Sequence, residues 1–143
     1  MNREELMQIL PHRDNMLLVD EAHVEGEKAV GKYTIKGDEF FLKGHFPGNP
    51  IVPGVMLCEM MAQSTCVLLA DVAMEGKSSL FTGIREVKFK TRVRPGDTLE
   101  SHCEIVKQRP PFYFAKGVGY VDGQIAVKAE FSFALVDMEK YKE

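Results

Sequence analysis

The chain has 143 residues, which suits one domain, and its 45% hydrophobic residues, 27% charged residues and net charge of -3 are typical of a globular protein. This mildly acidic balance gives no reason to expect a nucleic acid as partner. The N-terminus MNREELMQILPHRDN lacks the apolar core of a signal peptide, and no apolar run approaches the length needed to span a bilayer. We therefore predict a cytoplasmic protein without membrane insertion.

The three cysteines are odd in number and follow neither a disulfide framework nor a zinc-binding spacing; they are Cys58, Cys66 and Cys103. We predict buried, reduced thiols at all three positions.

The first elements are a short helix and a hairpin. Residues 3–10 form a helical pattern that stops at Pro11, because proline lacks the amide donor and disfavours helical geometry in the preceding residue. Two strand-like segments follow at residues 16–25 and 28–35, joined through Gly26, and predict a first hairpin.

A long helix and a series of strands complete the chain. Good helix formers run from Val55 to about Met74 and are apolar on nearly every face, which predicts a buried helix. The segment 87–97 alternates apolar and basic residues, which predicts a strand with one buried face. Further strands are predicted after it, with a tight turn at the DG dipeptide 122–123; they are residues 98–109, 112–121 and 124–137. This order predicts a single α+β domain, residues 1–143, with one antiparallel sheet around a central helix.

The loop before the helix restricts the backbone around one histidine. Residues 44–54, GHFPGNPIVPG, contain glycines that permit unusual backbone angles and prolines that remove freedom from the unfolded chain, so that His45 is held in a defined place. Two interpretations remain open for His45: a histidine bonded to a carbonyl in a tight turn, or a catalytic base.

Glu59 is the only ionisable side chain in the first two turns of the predicted buried helix. Burying an unpaired carboxylate costs several kcal/mol, so Glu59 must be paired, be protonated or face a cavity, unless the helix is tilted and the carboxylate reaches solvent. Gln63 lies four residues later on the same helix face and could hold the carboxylate by hydrogen bonding.

Gly54 lies where the helix begins. Its amide is one of the unpaired donors of a helix N-terminus and could bond a carbonyl oxygen or an oxyanion. Together with a histidine and a carboxylate, such a donor suits proton abstraction next to a carbonyl, with loss or addition of water.

Three motifs carry a resemblance to a known family: LPHRDNMLLVD, GHFPGNPIVPGVMLCEMMAQ and VKFKTRVRPGD. They resemble the 3-hydroxyacyl-acyl carrier protein dehydratases of bacterial fatty acid synthesis, and the resemblance covers nearly the whole chain. It implies a hot-dog fold, in which a curved antiparallel sheet wraps one long helix. It also implies that His45 and Glu59 form the catalytic pair, with Glu59 reaching the site from the partner subunit of a homodimer. Gly54 and Gln63 match the family's substrate-binding positions.

The resemblance further implies dehydration of (3R)-hydroxyacyl-acyl carrier protein to the trans-2-enoyl product, without a metal or an organic cofactor. The partner would be an acyl carrier protein with a phosphopantetheine-linked acyl chain, and the dimers could assemble into a trimer of dimers. Glutamate rather than aspartate at position 59 indicates the branch that dehydrates without isomerising the double bond.

Two other functions remain open, a hot-dog acyl thioesterase and a catalytically silent acyl-binding subunit. The basic residues Lys88, Lys90, Arg92 and Arg94 are either the solvated face of a strand or a docking surface for an acidic carrier protein. His12 is interpreted as a turn residue. Departures from the family pattern at Asp14, Asn15 and RPPFYF leave the substrate range open between primary fatty acid synthesis and a specialised lipid or polyketide-type pathway.

Overall fold

The computed structural model describes residues 1–73 and 76–137 of the chain. Three helices are present there: α1, Arg3–Leu6; α2, Gly54–Thr65; and α3, Ala70–Ala73. Short 3-10 helices occupy Asp14–Met16, Phe40–Leu42 and Cys66–Leu69. The six strands are β1, Glu21–Glu25; β2, Lys28–Thr34; β3, Lys77–Phe89; β4, Thr98–Arg109; β5, Phe112–Val121; and β6, Gln124–Asp137.

The strands form one antiparallel sheet in the order β1-β2-β4-β5-β6-β3. The predicted hairpins are present, although β1 begins at Glu21 rather than at residue 16. Both residues of the β5–β6 turn have positive φ, 50° at Asp122 and 78° at Gly123, as a type I′ turn requires. Helix α2 packs on the inner face of the sheet, against β2, β4, β5 and β6. The hot-dog fold, with a sheet around a central helix, is therefore confirmed.

Close contact between helix and sheet depends on a glycine in β2. A Cβ added at Gly31 would lie 2.1 Å from Ser64 Oγ and 2.5 Å from Ser64 Cβ, so no side chain fits at this position. The three cysteines are buried and unbonded to one another, which confirms the prediction of reduced core thiols.

The first predicted helix is shorter than expected, and the second is interrupted. The first ends at Leu6 rather than at residue 10, and the second ends its α-helical part at Thr65 before continuing as 3-10 and α segments to Ala73. The hydroxyls of Ser64 and Thr65 donate to carbonyls four residues earlier, at 2.9 and 2.8 Å, and such bonds disturb the helical ladder. The predicted end near Met74 lies outside the described residues.

The expectation about apolar length was wrong. The segment Gly54–Ala73 has 20 residues and a mean hydropathy of 1.5 over its most apolar window, enough to cross a bilayer by length and composition alone. This segment lies against the inner face of the sheet, and the core helix of a soluble protein passes the same test. We interpret it as a core helix.

The prediction for residues 87–97 was wrong in most of its detail. Strand β3 begins ten residues earlier, at Lys77, and ends at Phe89, which is 53% exposed. Only Val93 of the predicted buried face is fully buried. The strand ends because the amides of Lys90 and Thr91 both donate to the same carbonyl, that of Ala126, so that the ladder loses its register.

Candidate active site

A buried glutamate fixes the segment that leads to His45. Glu39 is 6% exposed, and its carboxylate accepts hydrogen bonds from the Tyr33 hydroxyl at 2.7 Å and from the amides of Lys36 and Gly37 at 2.9 and 2.8 Å. The 3-10 helix Phe40–Leu42 starts immediately after it. Burial acts to raise the pKa of Glu39, but these three donors outweigh it and hold the pKa below its ordinary value.

The ring of His45 is held by the loop itself. Its Nδ1 atom lies 2.6 Å from the carbonyl oxygen of Ile51. A carbonyl can only accept, so Nδ1 carries the proton and Nε2 presents a lone pair in the neutral ring. The ring of Phe46 packs edge-on against the imidazole at a centroid distance of 4.6 Å, with Phe46 in the left-handed region at φ 53°. His45 is thus oriented as a base through Nε2.

His45 and Gly54 line the same cavity, whose volume is about 470 Å³. As the first residue of α2, Gly54 has an amide with no carbonyl partner one turn earlier in the helix. A Cβ at Gly54 would lie 2.5 Å from the ring of Phe89, so the backbone approaches this wall of the cavity more closely than any other residue would permit. Two basic residues, Lys90 and Arg92, also line the cavity.

Glu59 lies in a second, separate cavity of about 30 Å³. Its Oε1 atom accepts two hydrogen bonds, from Gln63 Nε2 at 2.8 Å and from His12 Nε2 at 3.2 Å. Within the described residues, Oε2 has no hydrogen-bond partner. One oxygen of the carboxylate is therefore anchored and the other is available to a ligand.

The pKa of Glu59 results from two opposed effects. Burial acts to raise it, because a charged carboxylate loses hydration inside the protein, but the hydrogen bonds from His12 and Gln63 stabilise the charged form and lower the pKa below its ordinary value. At neutral pH, Glu59 is therefore ionised in the resting chain.

Gln63 connects the central helix to the N-terminal loop. It is 2% exposed, its side-chain oxygen accepts from the Leu18 amide at 2.9 Å, and its nitrogen donates to the Met16 carbonyl at 2.9 Å and to Glu59. Both N–H donors are thus engaged, and the orientation of the amide is defined by its partners. Gln63 holds Glu59 in place.

The structure brings the four predicted site residues together in two pairs. His45 and Gly54 share one cavity, and Glu59 and Gln63 share the other. Sequence reasoning missed the contact of His12 with Glu59; the signal was its place in the LPHRDN motif, which was interpreted as a turn. In residues 1–73 and 76–137, no group of three His, Cys, Asp or Glu side chains is arranged to hold a metal ion.

Comparison with known proteins identifies the family. Residues 10–130 match the FabA-like domain family. A 3-hydroxyacyl-[acyl-carrier-protein] dehydratase FabZ of Clostridium beijerinckii is 41% identical over 140 residues, which cover 94% of this chain and 99% of that protein. The FabZ dehydratase of Acetivibrio thermocellus is 42% identical over 141 residues, which cover 95% of each protein.

Solved structures show the same fold. The dehydratase heterocomplex ApeI:P of Xenorhabdus doucetiae matches with a TM-score of 0.78 at 21% identity over 95% of each chain. A fluoroacetyl-CoA-specific thioesterase, FlK, matches with a TM-score of 0.70 at 15% identity, over 85% of this chain and 94% of that one. Dehydratases and thioesterases thus share this fold. The sequence similarity of about 40% identity over nearly the whole chain is to the dehydratases. The chain belongs to the FabA-like family of hot-dog 3-hydroxyacyl-acyl carrier protein dehydratases.

Proposed function

We propose that this enzyme dehydrates (3R)-hydroxyacyl-acyl carrier protein to the trans-2-enoyl thioester in fatty acid or related lipid synthesis. The observation that carries the proposal is the orientation of His45, whose Nδ1 donates to the Ile51 carbonyl and which lines the same cavity as Gly54, the first residue of α2. A base beside a carbonyl-binding amide is what removal of a proton next to a thioester requires.

His45 and Gly54 act on the first half of the reaction. Nε2 of His45 takes the proton from C2 of the substrate and becomes the imidazolium, while negative charge develops on the thioester oxygen. The amide of Gly54, at the positive end of the helix dipole, donates a hydrogen bond to that oxygen. The rigid loop keeps both groups in place without reorganisation during the reaction.

Glu59 acts on the departing hydroxyl. Its ionised Oε2 accepts a hydrogen bond from the substrate's 3-hydroxyl, so the group is aligned when the C3–O bond breaks. The proton taken from C2 then leaves with the hydroxyl as water, passed from the His45 imidazolium directly or by way of the Glu59 carboxyl. The substrate loses one water, and both side chains return to their starting states.

A homodimer with shared sites explains why the pair is split within one chain. Strand β3 is an edge strand that pairs only with β6, and it carries exposed apolar side chains: Leu80, 42%; Phe81, 39%; and Ile84, 42%. Phe46 beside His45 and Val55 in the first turn of α2 are also exposed, at 57% and 67%. Pairing of two chains along this edge would cover apolar surface and supply Glu59 of one subunit to His45 of the other.

Carrier docking is supported by the charge around the His45 cavity. Lys88 and Lys128 are paired across the β3–β6 ladder, in a cavity that Glu86, Glu104 and Glu130 also line. Lys90 continues this basic surface into the wall of the cavity. We place the acyl carrier protein there and the enzyme in the cytoplasm.

Incubation of the purified enzyme with 3-hydroxyacyl-carrier protein thioesters of several chain lengths tests the proposal. Enoyl product should form, and it should disappear in His45→Ala. Free thiol without enoyl product would instead assign a thioesterase, and neither product at any length would assign a silent acyl-binding subunit. With the carrier-linked substrate, kcat/KM should fall as salt rises, whereas a carrier-free thioester should show no such dependence.

A further inference from the structure

We propose that His12 is a positioning residue for Glu59: it anchors Oε1 and leaves Oε2 directed at the reacting hydroxyl. The inference deepens the proposed function and rests on it. It starts from the contact of His12 Nε2 with Glu59 Oε1 at 3.2 Å, which joins two side chains that are only 19% and 18% exposed.

The other ring nitrogen of His12 determines the direction of this hydrogen bond. Nδ1 is buried and has no hydrogen-bond partner within the described residues. A protonated Nδ1 would bury an unpaired donor, which proteins avoid more strictly than an unpaired acceptor. With the proton on Nε2 instead, Nδ1 is a buried acceptor, and Nε2 donates to the carboxylate.

The loop that carries His12 is held independently of Glu59. The guanidinium of Arg13 donates to the carbonyls of Leu10 and His12, both at 2.7 Å, and to that of Met7 at 2.9 Å. These bonds fix the backbone from Met7 to His12. His12 can therefore act as a fixed point for the carboxylate rather than following its movement.

Two donors on one oxygen define the geometry of the carboxylate. Gln63 approaches Oε1 from the same helix and His12 approaches it from the N-terminal loop, so rotation of the carboxylate would break at least one hydrogen bond. Oε2 is then held in one direction. A fixed direction is required if Glu59 acts on a substrate that is bound beside His45 of the partner subunit.

Burial acts to raise the pKa of Glu59, and the hydrogen bond from His12 is the largest contribution that lowers it, followed by that from Gln63. Arg13 is engaged with backbone carbonyls, and the residues that β3 and β6 contribute to this cavity are uncharged; they are Ser79, Phe81 and Phe133. Two thiols of the helix are sensitive to Glu59, but burial raises the pKa of both Cys58 and Cys66, so they stay neutral. In the proposed dimer, His45 of the partner subunit is the remaining titratable group.

Two substitutions separate positioning from packing. His12→Gln keeps a side-chain N–H near the position of Nε2, whereas His12→Leu fills similar space without a donor. Labelling with [δ-13C]glutamate makes the carboxyl carbon of Glu59 visible by NMR. The resonance is assigned by its loss in Glu59→Gln, and its shift with pH gives the pKa of Glu59 directly. We expect a pKa below the ordinary glutamate value in the wild type, a clear rise in His12→Leu and a return toward the wild-type value in His12→Gln.

Kinetics with a 3-hydroxyacyl thioester supply the second readout. His12→Leu should lower kcat about 10-fold or more while KM changes less than about twofold, and His12→Gln should recover most of kcat. An unchanged Glu59 pKa in a folded His12→Leu variant would overturn the proposal, as would equal kcat in both variants. The titration needs no turnover, so a failure of the proposed reaction, seen as an inactive wild type, is distinguished from a failure of the role of His12.

Discussion

The turn at residues 36–39, which precedes the His45 loop, is held by the ionised form of Glu39. Hydrogen bonds to its carboxylate lower its folded pKa below the ordinary value of 4.5, so the stabilisation is complete above that pH and is lost as the pH falls through the folded pKa. Protonation replaces a charged acceptor with a neutral one that faces donors from Tyr33, Lys36 and Gly37.

Substitution Glu39→Gln should therefore lower the free energy of unfolding by about 1–3 kcal/mol at pH 7, because the amide nitrogen would face N–H donors. Near pH 3 the difference from the wild type should narrow. Urea unfolding of both proteins at pH 7 and pH 3 measures this difference in the free energy of unfolding. Glu27→Gln is the control, since Glu27 is exposed and has no ion pair within the described residues. If Glu39→Gln lowers the free energy of unfolding by the same amount at low pH, the charge of Glu39 has no role in the stabilisation.

Single residues differ in how far the sequence reveals them. Glu59 and Gln63 could be predicted as a bonded pair, because a carboxylate in an apolar helix needs a partner and helix geometry places Gln63 within reach. The contact of His12 with Glu59 could not be predicted from residue spacing. This contact joins residues 47 positions apart, and only the path of the loop between α1 and β1 brings them together.

At the scale of elements, the packing of α2 on the sheet depends on Gly31. Gly31→Ala should lower the free energy of unfolding by about 1–3 kcal/mol, because the new Cβ overlaps Ser64 in a closely packed core. Adding Ser64→Gly removes both overlapping atoms, so the double variant should be more stable than the sum of the two single effects.

Gly83→Ala serves as the matched control. This glycine also lies in a strand, and its added Cβ would meet only the flexible hydroxyl of Ser132 at 3.2 Å. Thermal or urea unfolding of the four variants measures the coupling. Strict additivity between Gly31→Ala and Ser64→Gly would show that the sheet moves away from the helix instead of overlapping with it.

The bounds of a strand or helix were predicted best where residues in the adjacent turns determine them. Strands β4 and β5 begin and end as predicted, and β6 begins as predicted, because the turns between them contain Pro-Pro and Asp-Gly pairs. Strand β3 was not predicted over most of its length. It is an edge strand, its exposed apolar residues follow no two-sided pattern within a single chain, and its limits are set by pairing with β6.

At the scale of the whole molecule, the separation of His45 from Glu59 makes a strict prediction about subunits. If each site takes His45 from one chain and Glu59 from the other, His45→Ala and Glu59→Gln homodimers are both inactive at all sites. A heterodimer of the two variants contains one site with both lesions and one site with neither.

Co-expression with two different affinity tags and sequential purification yields this heterodimer. Its dehydratase activity per dimer should be about half that of the wild type, whereas each variant homodimer should show only residual activity. A site built within one chain gives the opposite result, since every chain then carries one lesion and no combination restores turnover. Sedimentation of the wild type serves as the control for assembly, since a monomer with full activity would exclude a site shared between two chains.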